Sequence, residues 1–172
     1  MIIFFGQAEN DDMGAWLKFV QNFFKEGGVP KPFHRLTKNC FLDLPPGKEK
    51  LIVCGHGEQR SLADMGPVEF ATKLCFFGLT NTRFESIHLL NCGVALQTQQ
   101  NGVVENFARA FKSRLAQIPE TQGIKIYAPR GQVVWEPQWK TMNGQRFMVA
   151  TGVGVQTQER EYPFPEGMLL VL

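Results

Sequence analysis

Residues 51–54 read LIVC, with no polar residue among them, and they stop at Gly55-His56-Gly57. A strand with one wet face alternates polar and apolar side chains. One that is apolar at every position needs a packed layer on each side, the habit of parallel sheets flanked by helices. Similar short runs occur at 2–5 (IIFF), 87–91 (IHLLN) and 124–128 (IKIYA). Between them the apolar residues recur at helical spacing. Residues 12–26 set Met13, Trp16, Leu17, Val20, Phe23 and Phe24 on one stripe, with Asp11 or Asp12 at the N-cap and Gly27, Gly28 and Pro30 as the stop. Residues 67–77 begin at Pro67 and put Val68, Ala71, Leu74 and Cys75 on one side. Val103, Val104, Phe107, Ala108, Phe111 and Leu115 mark a third helix. This alternation predicts an α/β sandwich with a mostly parallel sheet, one domain spanning 1–172. Two pieces at 33–36 and 41–44, ended by Pro45-Pro46-Gly47, read as a hairpin or a ragged edge. The stretch 132–172 has no helical period, and Trp135, Trp139, 147–155 and 168–172 read as β-hairpins.

Composition excludes several classes. Eighteen Lys and Arg against sixteen Asp and Glu leave a net charge of +2, too little to draw the chain to nucleic acid or anionic lipid. No stretch reaches the ~18 uncharged apolar residues of a spanning helix, and the start lacks the basic and long apolar regions of a signal peptide. A chain made in the cytoplasm and beginning at Met1 is the expectation. Cys40, Cys54 and Cys75 lie in apolar runs and read as packed thiols, not as a disulfide framework. His34 and His88 sit within strand-like runs and read the same way. A zinc site from Cys54, His56, His88 and Cys92 matches no ligand spacing in use, so no metal is expected. Phosphate-loop and dinucleotide fingerprints are absent from the sequence.

The chemistry concentrates at two strand ends. In an open parallel sheet the functional loops lie beyond the carboxyl ends of the strands, where His56 follows LIVC and Cys92 follows IHLLN. Successive strands joined by one crossover helix are commonly neighbours, about 4.8 Å apart, so an imidazole and a thiol can share one crevice. A thiol with a pKa near 8.5 is only about a few per cent thiolate at pH 7, and a neighbouring imidazole takes its proton or stabilises the anion. Gly55, Gly57 and Gly93 leave backbone N–H groups uncovered for an oxyanion, those of Gly57 and Cys92 being the candidates. Acyl transfer, most simply peptide hydrolysis, suits these parts.

C-G-H-G at 54–57, L-L-N-C-G-V-A at 89–95, E-N-F-A-R-A-F at 105–111 and I-K-I-Y-A-P-R-G at 124–131 together resemble caspase-like (clan CD) cysteine peptidases. The likeness runs over about residues 2–150 and is greatest to the self-processing peptidase domains of the bacterial multifunctional RTX toxins and the clostridial glucosylating toxins. It implies a caspase-like α/β/α sandwich with a C-terminal β-hairpin flap, Cys92 as nucleophile and His56 as base. It also implies an acidic residue after the first strand that orients His56, Asp11 or else Asp12, although either also serves as a helix N-cap. The cysteine motif departs from the toxin domains in carrying Asn91 before Cys92, where they commonly show Gly.

Those toxin domains cut their own long chains, whereas a chain that starts at Met1 is expected to have nothing upstream to release. The expectation is therefore a stand-alone bacterial protease acting on other proteins, such as an effector delivered to a host cell without a cleavable signal. A silent binding module of the same fold and another thiol acyl-transfer enzyme, a deamidase or transglutaminase, are the alternatives. Arg130, Val133 and Trp135 are expected to line the substrate pocket, favouring an apolar side chain. In the resembling domains inositol hexakisphosphate binds Lys and Arg around the flap. Here that stretch offers Arg130, Lys140 and Arg146, with Arg109, Lys112 and Arg114 on the helix before it. Three flap cations are few for a polyphosphate, so activity without a required cofactor is the expectation and activation by the polyphosphate the alternative.

Overall fold

The computed structural model describes residues 2–5, 20–22, 24, 27–29, 33–38, 40–41, 49–55, 60–62, 64–81, 84–91, 98–100, 103–157, 160–164 and 166–172. Its strands are β1 (Ile2–Phe5), β2 (Phe33–Arg35), β3 (Glu49–Gly55), β4 (Phe84–Asn91), β5 (Thr98–Gln100) and β6 (Val103–Glu105). They continue with β7 (Lys125–Pro129), β8 (Gln132–Met142), β9 (Gln145–Gln156), β10 (Glu161–Pro163) and β11 (Met168–Leu170). Helices α1 (Pro67–Phe76) and α2 (Phe107–Ala116) connect β3 to β4 and β6 to β7.

Six strands form one sheet in the order β2-β1-β3-β4-β7-β11. The first five are mutually parallel, and β11 closes the edge antiparallel to β7. The chain steps from β1 out to β2, returns to β3 on the other side of β1, and then proceeds away through β4 and β7. The connections leaving β1 and β3 therefore run in opposite directions, which makes their carboxyl ends the topological switch point of the sheet.

Leu51, Val53, Ile87, Leu89, Ile126 and Ala128 face the two helices, and all are buried. Right-handed crossovers that move the same way along a sheet put their helices on the same face. Phe70 of α1 accordingly packs on Phe107 and Phe111 of α2, with ring centroids 6.1 and 5.5 Å apart. α1 starts at Pro67, whose missing N–H costs nothing in the first turn. α2 starts after Asn106, whose side chain accepts the N–H groups of Ala108 at 2.8 Å and Arg109 at 3.4 Å.

The structure corrects three expectations and chooses between two readings of a fourth. Val68 is 54% exposed, because it lies about 200° around the helix from Phe70, the true centre of the buried stripe. Val103 and Val104 belong to β6, paired antiparallel with β5, since the Asn106 cap starts the helix after them and β-branched residues favour extended backbone. Of the two readings of the stretch at 33–36, the edge is the one seen, since residues 33–35 form a parallel edge strand on β1. Residues 168–170 join the core sheet instead of a hairpin, covering the edge β7 would otherwise leave open. The expected helix at 12–26 lies mostly outside the described residues, of which 20–22 are helical.

Phe111 is fully buried between Phe70 and Phe107. Phe111→Ala should therefore cost about 3–5 kcal/mol in urea unfolding, whereas Val68→Ala should change stability by no more than about 0.5 kcal/mol. Equal losses at the two positions would show that α1 buries a different face.

Candidate active site

The carboxyl edge of the sheet is level across three strands. Phe5 of β1 is the register partner of Gly55 of β3, and Gly55 is in turn the partner of Asn91 of β4. His56 and Cys92 are the next residues along the chain from Gly55 and Asn91, and Asp11 follows Phe5 by six. Asp11, Asp12, His56, Gly57 and Cys92 themselves lie outside the described residues. Neighbouring strands stand about 4.8 Å apart, so the segments carrying the expected base and nucleophile start from adjacent points of one edge.

Asn91 links those two points. It is 1% exposed, and its Nδ2 donates to the Gly55 carbonyl at 2.8 Å. Its Oδ1 is also buried and has no hydrogen-bond partner among the described residues. A buried polar group left unpaired costs about 1–3 kcal/mol. The sequence held a signal for this residue, a lone amide ending an apolar strand, but nothing in it disclosed the acceptor across the sheet.

Arg130 also leaves at this edge, directly after β7, and its N–H donates to the Gly167 carbonyl at 2.9 Å. Its guanidinium lies over the Tyr162 ring, 4.5 Å from the centroid, and that of Arg160 lies 4.2 Å from the same centroid. Hydrogen bonds from Arg160 and then Arg130 hold the Tyr162 phenol below its ordinary pKa. The sequence reading missed Arg160 and Tyr162, whose i, i+2 spacing at the start of the short strand β10 was the available clue.

Val133 is buried opposite its register partner Val155, and Trp135 pairs through its backbone with Val153. Lys140 and Arg146 lie toward the far end of the β8–β9 hairpin, near the Asn143-Gly144 turn, where the Arg146 guanidinium covers the Trp139 ring at 4.8 Å. Ten residues of extended strand separate Lys140 from Arg130, a path of roughly 30 Å. The three flap cations are thus spread along the hairpin.

The described thiols and the His88 imidazole are held by packing. Cys54 is buried, and its thiol is pushed well above the ordinary value by loss of solvent; burial raises Cys40 and Cys75 as well. His88 stacks on Tyr127 at 4.6 Å, and its Nε2 shares a 3.1 Å hydrogen bond with Ser86 Oγ. Burial first, and the Lys50 charge second, lower its pKa to about 4. Among the described residues no group of three His, Cys, Asp or Glu side chains could hold a metal ion, and no helix is long and apolar enough to cross a membrane.

Compared with family models, with curated proteins and with solved structures, the chain matches none of them. The packing around His88 has a measurable consequence. Its neutral form is favoured in the fold, so the unfolded chain takes up the proton first as pH falls. Stability from this group is constant above about pH 6.5 and declines toward pH 4. Urea unfolding should lose about 1 kcal/mol from this source between pH 7 and pH 5, allowing for solvent at the half-buried ring. His88→Gln should remove that part of the loss; an unchanged pH dependence in the variant would overturn the assignment.

Proposed function

We propose that the chain is a cysteine peptidase of caspase-like fold that acts on other proteins, with Cys92 as nucleophile and His56 as base. The observation that carries this reading is the shared register of Gly55 and Asn91, the residues directly before His56 and Cys92, on adjacent parallel strands. The mostly parallel sheet, the long β8–β9 hairpin after β7 and the switch point between β1 and β3 also support it. Its motifs are those through which the sequence resembles clan CD peptidases.

In this mechanism His56 takes the Cys92 proton, and the thiolate attacks the scissile carbonyl carbon. The backbone N–H groups of Gly57 and Cys92 hold the resulting oxyanion. The C–N bond breaks as His56 returns its proton to the leaving amine, leaving a thioester. Water then gives a proton to His56 and hydroxide to the acyl carbon; the C–S bond breaks, the carboxylic acid leaves, and the Cys92 thiolate takes the proton back from His56. Asp11 orients the His56 ring, with Asp12 as the other candidate.

Digests of a proteome extract, read by mass spectrometry, test the reaction class. New peptide termini are expected with the wild-type chain and should fall by at least about 10³-fold with Cys92→Ala or His56→Ala. The double variant should be no slower than either single one, because nucleophile and base act as a unit. Deamidated or cross-linked glutamines without new termini would replace peptidase by the alternative acyl transfer, and no modification at all would leave a binding module.

The spacing of Arg130, Lys140 and Arg146 along the hairpin supports activity without a polyphosphate. Scanning fluorimetry with inositol hexakisphosphate at physiological salt should leave the Tm unchanged. A rise of several degrees, lost in the Lys140→Ala, Arg146→Ala double variant, would reverse this part of the reading.

A further inference from the structure

We propose that Asn91 is a positioning residue, holding the two strand ends at the spacing that the His56–Cys92 pair requires; the inference rests on the peptidase reading above. Asn91 ends a strand whose two preceding residues are Leu89 and Leu90, all three nearly inaccessible to solvent. Its Nδ2 bonds the Gly55 carbonyl at 2.8 Å, and that carbonyl belongs to the peptide unit whose nitrogen is that of His56. Cys92 is the residue after Asn91. One side chain therefore ties together, across the boundary between β3 and β4, the last described residues before both reactive groups. Glycine at 55 brings no side chain to restrict the rotation of its own peptide, so the amide supplies that restriction from the neighbouring strand.

The second polar atom of the amide shows why the tie is not a device for stability. Oδ1 is buried and accepts nothing among the described residues, so there the group is only half satisfied. Leucine has nearly the same shape, and placing it here would remove the unpaired acceptor and keep the volume filled, which offsets the loss of one hydrogen bond to the Gly55 carbonyl. A position serving the fold alone would be apolar, as its two predecessors are. The amide is instead useful to a reaction whose base and nucleophile must be held to within about half an ångström.

Iodoacetamide is the probe, since it needs a thiolate but no substrate pocket. Alkylation of Cys92 would be followed by peptide mass spectrometry from pH 5 to 9, with Tm measured in parallel. The full chain would be compared with Asn91→Leu, Asn91→Ala and His56→Ala. Wild type should react about ten-fold faster at pH 7 than a free thiol, with its profile displaced to lower pH. Asn91→Leu should melt at the same temperature or higher, yet react about ten-fold more slowly than wild type, its profile moved onto that of His56→Ala. Asn91→Ala should show the same kinetic loss with a lower Tm. A folded Asn91→Leu with the wild-type profile overturns the proposal. Failure of both Asn91 variants to fold does so too, since the amide is then a folding residue. If wild type superimposes on His56→Ala and on a free thiol, the dyad itself is wrong, and the role of Asn91 falls with it; only in that outcome do those two curves coincide.

Discussion

The parallel ladder joining β1, β3 and β4 is the constraint on which the rest depends. Parallel strands buried on both faces have little freedom to slip, because a shift of one residue would turn the buried side chains to the opposite face. Leu51, Val53, Ile87 and Leu89 all point toward the helices and are closed over by Phe70, Phe107 and Phe111. Fixing that register fixes where each strand stops. The level ends at Phe5, Gly55 and Asn91 thus follow from core packing some distance away, and the loops beyond them inherit common starting points.

Much of this was legible in the sequence because buried parallel strands and amphipathic helices leave strong patterns. LIVC and IHLLN predicted neighbouring strands, and they are neighbours. The errors share a cause: periodicity describes one segment at a time, whereas exposure and pairing depend on other segments. Val68 fits a helical stripe but faces away from the layer that Phe70 meets. Residues 168–170 look like one half of a hairpin, yet their partner is β7, some forty residues earlier. The same holds at the candidate site. Cys92 and His56 stood out by residue type and flanking glycines, while the Asn91 contact to Gly55 spans 36 residues and leaves no local pattern.

The hairpin is joined to the core more firmly at its base than its length suggests. A side chain at Gly131 would run into the Gln156 carbonyl, and one at Gly167 would run into Val155, so two glycines let the hairpin ends and the approach to β11 close together. Arg130, Tyr162 and Arg160 stack on this same base. Two guanidinium groups, those of Arg130 and Arg160, thus share one tyrosine ring where the hairpin meets the sheet, and a third, that of Arg146, covers Trp139 toward the turn.

The two kinds of pairing also differ in how far the chain must travel to make them. β8 and β9 meet through a two-residue turn at Asn143-Gly144, both with positive φ, a conformation suited to a tight hairpin. Such local contacts form on the microsecond scale. Every pairing in the core sheet instead closes a loop of tens of residues, and non-local contacts slow the search in proportion to that separation. During refolding the hairpin is thus the element able to exist first, while the outer side of β7 stays open until β11 docks. The order of assembly makes β7 the strand most exposed to wrong partners in a crowded solution.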